Sequence, residues 1–93
     1  MPITICVPTP LQRFTAGTET LQVSARDLRG LFDCLEQQFP GIKQALSRGD
    51  GHPQPFLNIY VNDEDIRFLG GMQYNFQDGD EVLLVPGIAG GAS

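Results

Sequence analysis

The hydrophobic period of this chain changes twice, and that restricts its fold more than any single motif. Near the start Ile3, Ile5 and Val7 alternate with Thr4 and Cys6; further on, Leu21 and Val23 alternate with Thr20 and Gln22. A two-residue repeat is that of a strand with one side buried. The repeat then lengthens, because Leu28, Leu31, Phe32, Leu35 and Phe39 fall on one stripe of a helix. Asp27 stands where an N-cap would accept from the open amides of the first turn, and Pro40-Gly41 supplies the stop. Gly30 inside the stripe costs up to about 1 kcal/mol relative to Ala, which suggests that another element packs close there. After a short helical turn over 42–46 and a loop over 47–55, the alternation returns in Leu57, Ile59 and Val61.

The remaining punctuation fills in the order. Pro8 and Pro10 end the first strand, and the segment from Thr9 to Gly17 reads as a loop before the second strand, Thr18 to Ser24. The strand Phe56 to Val61 leads into the charged turn Asn62-Asp63-Glu64-Asp65, then a short return strand, Ile66-Arg67-Phe68, broken by Gly70-Gly71. Asp78-Gly79 makes a tight turn with Gly at a position needing positive φ, and Asp80 to Val85 is the last strand. With one apolar side to hide on each element, the helix must cover one face of a mixed sheet. The first and last strands are then central and parallel. The expected fold is α+β, a β-grasp of four to five strands with one main helix. Residues 1–86 form the domain, followed by a tail over 87–93 that Pro86, Gly87, Gly90 and Gly91 keep out of any strand or helix.

Composition excludes several functions. A chain of 93 residues with net charge −5 suits one acidic domain and not a nucleic-acid partner, whose phosphates call for Lys and Arg patches. No apolar run approaches the roughly 20 residues that cross a bilayer, and Met1-Pro2-Ile3-Thr4 lacks a basic leader, so a cytoplasmic protein is expected. Cys6 and Cys34 are too far apart for a CxxC motif and read as free thiols. Two cysteines cannot supply the four thiolates of a β-grasp ferredoxin cluster. His52 stands alone in a polar loop, so no metal site and no bound cofactor are expected.

One detail points past folding. Val82, Leu83, Leu84 and Val85 are all apolar, so both sides of the last strand are greasy, although a single helix covers only one. The outward residues lie either under loop cover or in a patch for a partner beside the tail. Phe68, Leu83 and Val85 are the candidate docking residues. The carboxylates Asp63, Glu64, Asp65, Asp78, Asp80 and Glu81 read as solvated turn residues or as a steering surface for a basic partner. Without a nearby histidine or nucleophile they do not form a catalytic pair.

Taken together, the β-grasp order, Asp78-Gly79-Asp80-Glu81-Val82 before the last strand, Pro86 and Gly90-Gly91 resemble the ubiquitin-like sulfur carriers of the MoaD/ThiS family. The run Tyr60-Val61-Asn62-Asp63-Glu64-Asp65-Ile66-Arg67-Phe68 followed by Gly70-Gly71 is similar to the branch that serves cysteine biosynthesis and related sulfur-donating pathways. The resemblance implies that the Gly91 carboxylate is adenylated by a ubiquitin-activating-type adenylyltransferase (MoeB/ThiF-like) that uses ATP. It is then converted to a thiocarboxylate and spent on a sulfur-acceptor synthase. Gly87, Ile88, Ala89 and Gly90 would be the tail recognised in the activating pocket, where the absence of Cβ at Gly90 and Gly91 allows close approach. Ala92 and Ser93 depart from the plain pattern, and the resemblance implies their removal between Gly91 and Ala92 by a JAMM-type zinc metalloprotease. In this reading the chain is a protein-bound sulfur donor, not an enzyme. Two alternatives stand beside it: a ubiquitin-like modifier conjugated to lysine, and a plain β-grasp binding module with a frayed end.

Overall fold

The computed structural model describes residues 2–49 and 51–87. Five strands form one mixed sheet in the order β2-β1-β5-β3-β4. They are β1 (Pro2–Cys6), β2 (Thr20–Ser24), β3 (Leu57–Val61), β4 (Glu64–Asp65) and β5 (Glu81–Pro86). Helix α1 (Leu28–Gln38) and the short α2 (Ile42–Leu46) complete the fold. β1 pairs antiparallel with β2 and parallel with β5, so the first and last strands lie side by side as the sequence implies. β5 is also antiparallel to β3, which places it inside the sheet with a partner on each side.

The periods read from the sequence sort residues as expected. Ile3, Ile5 and Val7, then Leu57, Ile59 and Val61, then Val82 and Leu84, point into one core. From the helix they meet Leu28, Leu31, Phe32 and Leu35, all buried, while Phe39 packs partly at the margin. Burying each of these four side chains contributes roughly 1.5–3 kcal/mol, a large share of what holds so small a domain together. Asp27 caps the helix, its carboxylate accepting from the Gly30 amide at 2.9 Å. Around Gly30 itself no other element is tightly packed. A β-carbon there would meet only Asp27 Oδ1 at 3.4 Å and Ala25 at 3.9 Å, so the glycine serves the cap region and no close helix crossing.

Two segments differ from the sequence reading. Residues Ile66–Leu69 form a 3-10 helix instead of a return strand, and pairing with β3 falls earlier, on Glu64 and Asp65. The reason is the turn. Asn62 and Asp63 both adopt left-handed backbone, φ 51° and 71°, and reverse the chain in two residues, so Val61 faces Glu64 directly. Asp65 then caps the 3-10 helix by accepting from the Arg67 amide at 2.9 Å, Ile66 turns into the core, and Gly70 at φ 112° ends it. Likewise Thr9–Phe14 is a 3-10 helix and not an open loop. Pro10 suits its first turn, and Leu11 is buried beneath it.

A candidate docking face and the root of the tail

Strand alternation divides β5 cleanly. Val82 and Leu84 are buried, whereas Leu83 is 39% exposed on the side of the sheet away from α1. The register sets Leu83 between Cys6 of β1 and Tyr60 of β3, and sets Val85 opposite Asn58. Cys6, Tyr60 and Val85 are half-buried, so this side of the sheet carries a short apolar strip with the exposed Glu81 beside it. Loop cover, one of the two readings left open by the sequence, does not close over Leu83, which is exposed, while Val85 is half-buried. Phe68 lies elsewhere. It is 79% exposed on the 3-10 helix that follows β4, at the edge of the sheet and outside this strip.

A buried carboxylate fixes the entry to β5. Asp80 is 6% exposed and accepts from three sides: Asn62 Nδ2 at 2.9 Å, the Tyr74 hydroxyl at 2.7 Å and the Gln77 amide at 2.8 Å. Burial alone acts to raise its pKa, but the bonds from Gln77, Tyr74 and Asn62 outweigh it and hold the carboxyl below its ordinary range. The same contact acts in reverse on Tyr74, where burial first and the bond to Asp80 second push the phenol up to about 12. Asp80 is therefore a structural member of the body and not part of an acidic steering surface. Asp63, Glu64, Asp78 and Glu81 remain exposed. Asp65 is engaged by the Arg67 guanidinium at 2.7 Å, which holds its carboxyl below the usual value.

β5 does not stop where Pro86 first suggests. The Gly87 amide donates to the Phe56 carbonyl, one pair beyond Leu57 and Pro86. In an antiparallel ladder bonded and non-bonded pairs alternate, so Pro86 falls at a pair that asks no N–H of it, and β3 and β5 stay together one residue further. A β-carbon at Gly87 would lie 2.8 Å from that carbonyl oxygen, so the close approach relies on glycine. Of the tail residues singled out from sequence, Gly87 is thus held against the body. Ile88, Ala89, Gly90, Gly91 and Ala92 lie outside the described residues. Sequence reasoning placed Phe56 at the start of the strand but missed it as the anchor of that contact; β3 begins one residue later, at Leu57.

Other chemistry is sparse. Cys6 and Cys34 are free thiols, and Cys34 Sγ donates to the Ser24 carbonyl at 3.2 Å. Among the described residues no group of three or more His, Cys, Asp or Glu could hold a metal ion, and no helix is long and apolar enough to cross a membrane.

The profile of the ThiS family matches residues 5–91, from the first strand to the second glycine of the tail. The chain belongs to the ThiS family. Within it, the chain is 39% identical over 93 residues to the sulfur carrier protein CysO of Mycobacterium tuberculosis, covering 98% of this chain and 100% of that protein. It superposes on a chain of the Amycolatopsis orientalis BexX/CysO complex with a TM-score of 0.86 at 33% identity, over 94% of this chain and 97% of the other. A shorter match, 35% identical over 57 residues and 61% of each chain, links it to small archaeal modifier protein 3 of Haloferax volcanii. The ubiquitin-like β-grasp, read first from hydrophobic periods, is the ThiS-family fold seen in these structural relatives.

Proposed function

We propose that the chain is a sulfur carrier whose working group is the carboxylate of Gly91. The observation that carries this reading is where the family match ends, at Gly91, leaving Ala92 and Ser93 beyond it. A zinc metalloprotease of the JAMM type would open the Gly91–Ala92 peptide bond. The freed carboxylate then attacks the α-phosphorus of ATP in a MoeB/ThiF-like adenylating enzyme, displacing pyrophosphate and forming an acyl adenylate. Hydrosulfide attacks the carbonyl carbon, AMP leaves with the electron pair of the broken C–O bond, and loss of the S–H proton gives the thiocarboxylate. Its charge rests on polarisable sulfur, so it is a nucleophile at neutral pH toward an activated acceptor held by a synthase. The carrier contributes the reacting atom, and the partners contribute catalysis.

The body supports this role physically. Leu83 and Val85 of its apolar strip stand on the strand that leads into the tail, with Tyr60 beside them on β3, and the exposed Glu81 next to the strip suits a partner with a basic rim. The full-length likeness to CysO favours donation into synthesis of cysteine or a similar sulfur metabolite. The test is intact mass. Chain ending at Gly91, incubated with ATP, the adenylating enzyme and sulfide, should gain the difference between a sulfur and an oxygen atom. No gain with every candidate adenylating enzyme of the source cell would refute the proposal. The likeness to an archaeal modifier gives a second reading, transfer of Gly91 to lysine amines. That reading requires conjugates of higher mass in cell extracts, and their absence alongside a thiocarboxylate would dismiss it.

A further inference from the structure

The bond between Gly87 and Phe56 shortens the tail. Because Gly87, the last of the described residues, is tied to the sheet, at most Ile88 to Gly91 separate the body from the carboxylate to be activated. Four residues, even fully extended, span at most about 14 Å. Any enzyme that takes up Gly91 must therefore bring the mouth of its pocket against the tail root. The side chain standing there is Phe56, 39% exposed, immediately before β3. Leu57, Ile59 and Val61 face inward, so the alternation turns Phe56 outward with Asn58 and Tyr60. Its opposite number, Gly87, has no side chain to cover it.

We propose that Phe56 is a positioning residue for the adenylating enzyme, filling an apolar recess at the mouth of its pocket once the tail has entered. The proposal rests on the reading that Gly91 is the activated group. It extends the docking strip of Leu83 and Val85 to the root of the tail. An aromatic side chain is well suited to such a seat, since it buries a large area for the loss of only two torsions. Seating of this kind fixes how far the tail reaches before chemistry and touches no reacting atom.

The test compares adenylation of carrier ending at Gly91, followed by pyrophosphate release, for wild type, Phe56→Ala and Phe56→Leu with a MoeB/ThiF-like enzyme of the same cell. Phe56→Ala should raise KM for the carrier by about ten-fold while kcat moves less than about two-fold, and Phe56→Leu should recover most of the loss. Melting curves of each variant separate seating from unfolding; if Phe56→Ala does not fold, Phe56→Leu and Phe56→Met carry the comparison with a smaller expected rise. A second readout is the tail itself. With two glycines inserted after Gly87 the body is released from the mouth, and the Phe56→Ala effect on KM should disappear. Unchanged KM in a folded variant, or a fall confined to kcat, overturns the proposal while leaving the carrier reading intact. Failure of the wild type to be adenylated would instead sink the carrier reading, and this proposal with it.

Discussion

Asn62 and Glu81 are bonded in both directions. The Asn62 amide donates to the Glu81 carbonyl at 2.8 Å, and the Glu81 amide donates to Asn62 Oδ1 at 3.0 Å. The same side chain reaches Asp80 with its nitrogen at 2.9 Å, so one residue of the β3–β4 turn fixes the start of the last strand. Its left-handed backbone, φ 51°, suits asparagine better than most residues. Replacing Asn62 with Ala removes both side-chain bonds and adds backbone strain. The expected loss is about 2 kcal/mol, or roughly 8–16 °C in Tm, measured by urea and thermal unfolding.

The carboxylate it serves gives the acid response. The folded state holds Asp80 below its ordinary pKa, so its contribution is present above the unfolded value near 3.8 and is lost as pH falls through the folded one. Unfolding free energy measured from pH 6 downward should therefore fall more steeply in wild type than in Asp80→Asn. The variant itself should be less stable at neutral pH, by about 1–3 kcal/mol, because the Tyr74, Asn62 and Gln77 donors lose a charged acceptor. Equal acid slopes would contradict this account.

Tyr74 gives the alkaline response. Its phenol is neutral in the fold up to about 12, against 10.0 for the free group. The stability that burial first, and the bond to Asp80 second, give the neutral phenol is complete below pH 10 and disappears as the pH rises through the folded value. In a Tyr60→Phe background Tyr74 is the single tyrosine. Phenolate absorbance there should rise late, near the higher value, and move earlier in Asp80→Asn.

Leu83 separates folding from docking. Its side chain is partly exposed between Cys6 and Tyr60, so Leu83→Arg should change stability by no more than about 1 kcal/mol. Association with the adenylating enzyme should weaken by about ten-fold or more, read as KM in the pyrophosphate assay. Phe68→Ala, at the sheet edge, should leave that KM unchanged.

A bulky residue in the glycine pair should block chemistry. Gly90→Val is expected to abolish adenylation of the carrier, with Tm measured alongside to separate lost chemistry from lost fold.

Much of this was legible from residue order. Period and punctuation located α1, the mixed sheet and the parallel contact of first and last strands, because burying one side of each element leaves few arrangements. The 3-10 helix at Ile66–Leu69 was not legible, since Ile66-Arg67-Phe68 alternates as a strand would and only the left-handed pair Asn62-Asp63 decides where pairing begins. Asp80 read as one more surface acid because its partners come from Asn62 and Tyr74, which only the fold brings near. The outward apolar strip was half visible. Four apolar residues in a row at Val82–Val85 announced an outward leucine, but the neighbours Cys6 and Tyr60 depend on strand register, which a single strand does not encode.

The position of β5 between β1 and β3 also bears on mechanical load. A partner that draws the tail into a pocket pulls along the central strand of the sheet, laced to a neighbour on each long side. The pull meets those two ladders in shear, many bonds resisting together, instead of peeling an outer strand bond by bond. A load on the tail would thus be shared by both ladders at once.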